Sequence, residues 1–126
     1  MKRAVITGLG VVSPLGNNRA ATLGSLRETR SGIRYQEEYD EMGMRSHIAG
    51  SIEDLDVEGM IDRKLRRFMG DAAAYSYIAM QEAIEDAGLE DNHVSNERSG
   101  IVASSGGASS ANIVEAADIL REKGLK

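Results

Sequence analysis

The sequence predicts an α/β fold, and two patterns carry that prediction. Apolar runs at residues 3–12 and about 99–104 read as buried strands, and the segments between and after them have helical period. The order strand, helices, strand, helix is that of a parallel pair joined by a helical crossover. Both runs are continuously apolar, so both expect neighbours on either side. Parallel sheets need covered faces and usually more than two strands. The chain is therefore expected to be an incomplete piece of a larger α/β fold.

The elements follow in order. Pro14 and Gly16 stop the first strand, and Asn17 or Asn18 can cap a helix over 19–29 with Leu23 and Leu26 on one side. The stretch "RSGI" breaks that helix. Residues 34–58 are polar with weak period and read as a surface excursion, with a short helix near 36–42 and a short strand near 46–52. The clearest helix is "GDAAAYSYIAMQEAIEDAGL", in which Ala73, Tyr77, Met80, Ile84 and Ala87 recur on one helical face. Gly88 followed by Leu89 is a C-terminal stop. Residues 90–97 read as a polar loop. After the second strand and a Gly/Ser turn, "ANIVEAADILREKG" is a further helix closed by Gly124.

Bulk properties narrow the functional classes. A chain of 126 residues suits one domain at most, and 41% hydrophobic with 28% charged residues is a globular composition. No apolar run approaches a membrane span, and "MKRAVITGLG" lacks the long apolar stretch and cleavage site of a secretory signal. The absence of cysteine fits a cytosolic protein and excludes disulfides, thiolate metal sites and cysteine catalysis within these residues. A net charge of −5 makes a poor general binder of nucleic acid.

Three motifs bear on chemistry. In "VITGLGVVSPLGNN", Gly8 and Gly10 match the start of a dinucleotide fingerprint, but its third glycine is Ser13 and Pro14 follows. Glu28, at the right distance for the ribose acid, lies in a helical pattern rather than at a strand end. The simpler reading is that these glycines let another backbone approach closely. In "ASSGG", Ser105 sits where a nucleophile elbow would place its serine, but no histidine follows it; the histidines are His47 and His93, and neither stands in a metal-ligand pattern. The alternative is a turn whose N–H groups could face a ligand. In "DRKLRRF", Arg63, Lys64, Arg66 and Arg67 crowd the first turn of a helix that Asp62 can cap. Cations there oppose the helix dipole, and Arg63 and Arg67 are like charges at i, i+4. Such a patch on an acidic chain points to an acidic partner; the alternative is a solvated face balanced by acids such as Glu58. Lys123 and Lys126 could extend the patch.

Together "MKRAVITGLGVVSPLGN", "GMRSHIAGSI", "IDRKLRRFMGDAAAYSYIAMQEAIEDAGL" and "GIVASSGG" resemble the N-terminal part of the β-ketoacyl-acyl carrier protein synthases, in particular the bacterial type I kind. The resemblance implies a thiolase-like fold, layered α-β-α-β-α in the full enzyme and assembled as a homodimer, of which residues 1–126 would be part of the first half, truncated before the catalytic cysteine. It implies cytoplasmic acyltransferase chemistry of fatty acid elongation, with acyl and malonyl thioesters and acyl carrier protein as partners and no metal or dissociable cofactor. Arg63, Lys64 and Arg67 match basic positions that meet the acidic helix of the carrier protein, and Lys123 and Lys126 match a second basic cluster. Gly106 and Gly107 match a turn close to the acyl pocket, where small residues leave room for the chain. Gly8 and Gly10 resemble a central-strand end packed beneath the active site, with no nucleotide bound. The family's cysteine and two histidines have no counterpart here, so the 126 residues alone are expected to be inactive. Two rivals are a non-catalytic carrier-binding subunit and a serine hydrolase using Ser105.

Overall fold

In the structure, a computed structural model, residues 3–124 are described. Helices α1 (Arg19–Arg27), α2 (Glu37–Glu41), α3 (Val57–Met60), α4 (Arg63–Arg66), α5 (Asp71–Asp86), α6 (Asp91–Val94) and α7 (Ser110–Lys123) follow one another, with strands β1 (Arg34–Tyr35) and β2 (Ile48–Ala49) flanking α2. α5 is the element on which the rest assembles. It ends as its sequence predicts. Gly88 takes φ +63°, its N–H bonds the Glu85 carbonyl at 3.0 Å and the Leu89 N–H bonds the Ile84 carbonyl at 3.2 Å, which is a Schellman stop.

The face α5 buries differs from the predicted stripe. Ala74 and Ile78 are buried, with Ile61, while Ala73 and Met80 are exposed. Val12, Leu55, Val57, Met69 and Tyr77 complete this small core. The period holds but the covered face is rotated by about one residue. The cause is the row Ala79, Ala83 and Ala87, whose small side chains admit a backbone rather than other side chains. A Cβ on Gly10 would lie 2.8 Å from the Ala83 nitrogen, and one on Gly8 would lie 2.8 Å from the Ala87 nitrogen. The glycines of "TGLG" thus lay the N-terminal segment flat on α5.

That segment corrects the first strand prediction. Residues 3–12 run without a ladder, and Val5 and Ile6 are 80% and 83% exposed. Their composition suits a strand, but a strand is completed by a neighbour. Here side chains of α5 take two of the N–H groups instead: Leu9 donates to Asp86 Oδ2 at 3.0 Å and Val11 to Glu82 Oε2 at 2.9 Å. The segment closes in a tight turn in which Ser13 and Gly16 exchange backbone hydrogen bonds around Pro14. Residues 99–104 likewise form no ladder, with Ile101 and Val102 fully or largely exposed. The predicted parallel pair is therefore absent among the described residues. The ladder present there is antiparallel, β1 with β2, pairing Arg34 with Ala49 and Tyr35 with Ile48.

Other elements match their predictions closely. Asn18 is the cap of α1, accepting the Ala21 N–H at 2.8 Å. α2 and β2 fall within the predicted excursion, and Gly124 closes α7 at φ +68°. The predicted loop at 90–97 contains the single turn α6. No helix among the described residues is long and apolar enough to cross a membrane. The accessible surface is 10787 Å², against roughly 6600 Å² for a compact monomer of this mass, 13.6 kDa. Large apolar surfaces are left uncovered, chiefly around residues 5–6 and 101–102.

Candidate functional site

The basic segment Arg63–Arg67 is positioned by its two ends. Ile61, 3% exposed, enters the core just before it, and Met69 packs against the same core just after it. Asp62 caps α4 as predicted, its carboxylate accepting the Lys64 N–H at 2.8 Å. The negative cap offsets part of the repulsion between the dipole and the cations of the first turn. Between these anchors the helix must turn one face inward and one outward.

The four cations divide accordingly. Arg66 turns inward: its Nη2 lies 3.0 Å from Asp71 Oδ1, its Nε lies 3.6 Å from Glu58 Oε1, and its Nη1 donates to the Met69 carbonyl at 2.5 Å. Glu58, expected as a general counter-charge, lies within ion-pair range of Arg66 alone among the four cations, without hydrogen-bonding its buried Nε. Arg66 ties α3 and α5 to the patch and is part of its frame. Arg63, Lys64 and Arg67 are exposed and make no ion pair among the described residues. Three exposed, unpaired positive charges therefore lie within five residues of an acidic chain.

Phe68 completes this face and was not singled out in the sequence. The residue is 82% exposed, and the Arg67 guanidinium lies 5.6 Å from its ring centroid. A contact of this kind contributes about 0.5–1 kcal/mol at an exposed site. Leu65 and Met60, 48% and 56% exposed, add apolar surface nearby in the sequence. The signal was present: Phe68 is the one phenylalanine of the chain and directly follows the cations.

The second predicted cluster is placed only in part. Lys123 is exposed in the last turn of α7, and Lys126 lies outside the described residues. Gly107 lines an open cleft of about 1040 Å³ between the start of α5 and the start of α7, walled by small residues such as Ala73, Ser76 and Ala108. Gly106 does not line it. A Cβ at either glycine would meet no other atom within 4 Å, so nothing within the described chain requires glycine there.

The remaining candidates have structural roles. Ser105 Oγ donates to the Gly107 carbonyl at 2.9 Å, closing a turn. His47 Nε2 bonds the Met44 carbonyl at 2.7 Å, which makes it the N–H donor, and its Nδ1 lies 3.6 Å from Asp40. The His93 carbonyl accepts from Asn96 and Ser99 and caps the turn after α6. Asp40 also accepts the Tyr35 hydroxyl at 2.5 Å, and that bond, with a smaller part from desolvation, holds the Tyr35 phenol above its ordinary range.

Comparison with known proteins identifies the class. A sequence model described as "Beta-ketoacyl synthase, N-terminal domain" matches residues 1–124. The chain belongs to the β-ketoacyl synthase family, which implies a thiolase-like fold. It is 51% identical over its whole length to 3-oxoacyl-[acyl-carrier-protein] synthase 1 of Haemophilus influenzae and 52% identical to the protein of the same name from Escherichia coli. It is 34% identical, over 83% of its length, to 3-oxoacyl-[acyl-carrier-protein] synthase 2 of Staphylococcus aureus. The chain spans 31% of the length of the first two relatives.

Proposed function

We propose that the chain forms part of the first α/β half of a 3-oxoacyl-[acyl-carrier-protein] synthase acting in cytoplasmic fatty acid elongation, within a homodimer of layered α-β-α-β-α architecture. The face of Arg63, Lys64 and Arg67 receives the acidic surface of acyl carrier protein, with Lys123 and Lys126 as a second basic contact. The turn at Gly106 and Gly107 borders the space for the acyl chain.

The reaction is a decarboxylative condensation. An acyl group passes from its carrier thioester to a cysteine thiolate, releasing the carrier thiol; malonyl-carrier protein then loses carbon dioxide, and its carbanion attacks the acyl thioester and expels the cysteine thiolate. Two histidines stabilise the oxyanion that develops, so the chemistry combines covalent catalysis with electrostatic stabilisation. No cysteine occurs among these 126 residues; His47 Nε2 bonds the Met44 carbonyl, and the His93 carbonyl accepts from Asn96 and Ser99. The contribution of this stretch is docking and positioning, and alone it forms no acyl-enzyme.

The observation that carries this reading is the division of the four cations of α4 and its C-cap. Arg66 is spent on Glu58 and Asp71, while Arg63, Lys64 and Arg67 keep their charge outward. The test is binding of acyl carrier protein to the wild type and to Arg63→Glu/Lys64→Glu. Reversal is expected to weaken binding by about tenfold or more at low salt. Unchanged affinity would contradict the reading.

A further inference from the structure

The cleft between α5 and α7 is bordered where the caps of the two helices approach each other. No residue of α7 is buried, and residues 99–104, which lead toward it, form no ladder. The helix meets α5 at its own cap. A Cβ on Gly70 would lie 3.0 Å from Ser109 Cβ and 3.8 Å from Asn112 Nδ2, and Ser109 Oγ accepts the Asn112 N–H at 3.3 Å. The place of Gly70 therefore decides where the α7 wall begins. Glycine fixes its own backbone poorly, and as the cap of α5 Gly70 brings no side-chain hydrogen bond. The Arg66 guanidinium brackets it instead: Nη1 donates to the Met69 carbonyl on one side, and Nη2 lies 3.0 Å from Asp71 Oδ1 on the other.

We infer that Arg66 is a positioning residue for this cleft: its planar fork holds the corner Met69–Asp71 against the start of α7 and so fixes the spacing of the two walls. The identity of the cleft as acyl space rests on the proposed function; the spacing of its walls does not. The side chain suits the task. Its Nε is buried without a hydrogen-bond partner and stays 3.6 Å from Glu58 Oε1. A buried donor left unpaired costs stability, so the guanidinium is oriented by the corner and not by Glu58. A rigid planar fork fixes two partners at once, which a flexible ammonium does not. Asp71 stands in the first turn of α5, where a carboxylate complements the helix dipole, so the pair grips the helix end itself. The Asp71 side chain is 69% exposed, and an ion pair open to solvent adds little to global stability. Its effect is on local geometry.

The chain contains no cysteine, so engineered cysteine pairs carry spin labels at chosen sites of the full chain, and pulsed electron spin resonance reads the distance between them. Gln81→Cys with Glu115→Cys spans α5 and α7. Gln81→Cys with Ala20→Cys spans α5 and α1 and is the reference. All three positions are exposed. With Arg66 present, each pair is expected to give one narrow distance. Arg66→Met and Asp71→Ala should each lose the narrow α5–α7 distance to a broad distribution, and the double variant should add nothing further, because the two residues act as one unit. Arg63→Met should change neither pair, and the reference should stay narrow throughout. An unchanged α5–α7 distance in Arg66→Met would overturn the inference. So would an additive double variant, an equal effect of Arg63→Met, or a broad α5–α7 distance with Arg66 in place. Broadening of both pairs by Arg66→Met would make the residue a general folding contact and overturn it as well. No thioester or carrier protein enters this experiment, so its failure leaves the proposed function standing; unchanged carrier affinity on charge reversal would remove that function without touching the spacing.

Discussion

The Glu82 carboxylate accepts the Val11 N–H at 2.9 Å through one oxygen and the Arg19 N–H at 2.8 Å through the other. One side chain of α5 thus joins the extended N-terminal segment to the start of α1. Arg19 is the first residue of α1, whose N–H has no partner within the helix, and a carboxylate there also complements the helix dipole. Replacing Glu82 with Ala should speed hydrogen exchange at both the Val11 and Arg19 amides and destabilise the chain by about 1–3 kcal/mol. Faster exchange at only one of the two would show that the bridge does not act as a unit.

Gly10 tests whether the N-terminal glycines serve packing. A Cβ at Gly10 would collide with the backbone of Ala79 and lie 2.8 Å from the Ala83 nitrogen. Gly10→Ala should destabilise by about 1–3 kcal/mol, the range for overpacking. Gly107→Ala should leave the melting temperature unchanged, since that position opens on empty space. Equal effects at the two sites would refute the packing account.

Thr29 sits in left-handed backbone at φ +55°, just past the C-cap of α1. Its N–H bonds the Leu26 carbonyl at 3.3 Å and the Arg30 N–H bonds the Ser25 carbonyl at 2.9 Å, so a β-branched residue occupies the glycine position of a Schellman motif. Thr29→Gly should stabilise by about 1 kcal/mol, read from the denaturant midpoint. A loss of stability would mean that the side chain makes a compensating contact.

The Tyr35–Asp40 bond makes a prediction in pH. Hydrogen bonding to the carboxylate favours the protonated phenol and raises its pKa above the ordinary value of about 10. A group raised on folding contributes stability that is fully present below its unfolded value and is lost as pH rises through its folded value. The Tyr35 contribution should therefore vanish only in alkaline solution, above pH 10. Asp40→Asn should return the Tyr35 ring titration, followed by NMR, toward the ordinary range; an unchanged titration would rule out Asp40 as the cause.

The helices and caps were legible in the sequence because their determinants are local. Asn18, Asp62 and Gly88 act within a few residues of themselves, and each does what its type suggests. The strands were not legible because their determinants are remote. Residues 3–12 and 99–104 have strand composition, yet a ladder needs a partner, and Glu82 and Asp86 occupy the N–H groups of the first instead. The buried face of α5 was misjudged by about one residue because hydrophobicity alone does not reveal that Ala79, Ala83 and Ala87 accept a glycine backbone. The basic patch was visible as composition. That Arg66 belongs to the frame rather than the face depends on Glu58 and Asp71 meeting it in space.

The most direct measurement of the central proposal is an NMR titration of the labelled chain with acyl carrier protein. The account predicts shifts centred on residues 62–68, suppressed at high salt and abolished in Arg63→Glu/Lys64→Glu. Shifts centred elsewhere, or none at the concentrations where the carrier protein binds a known synthase, would contradict it.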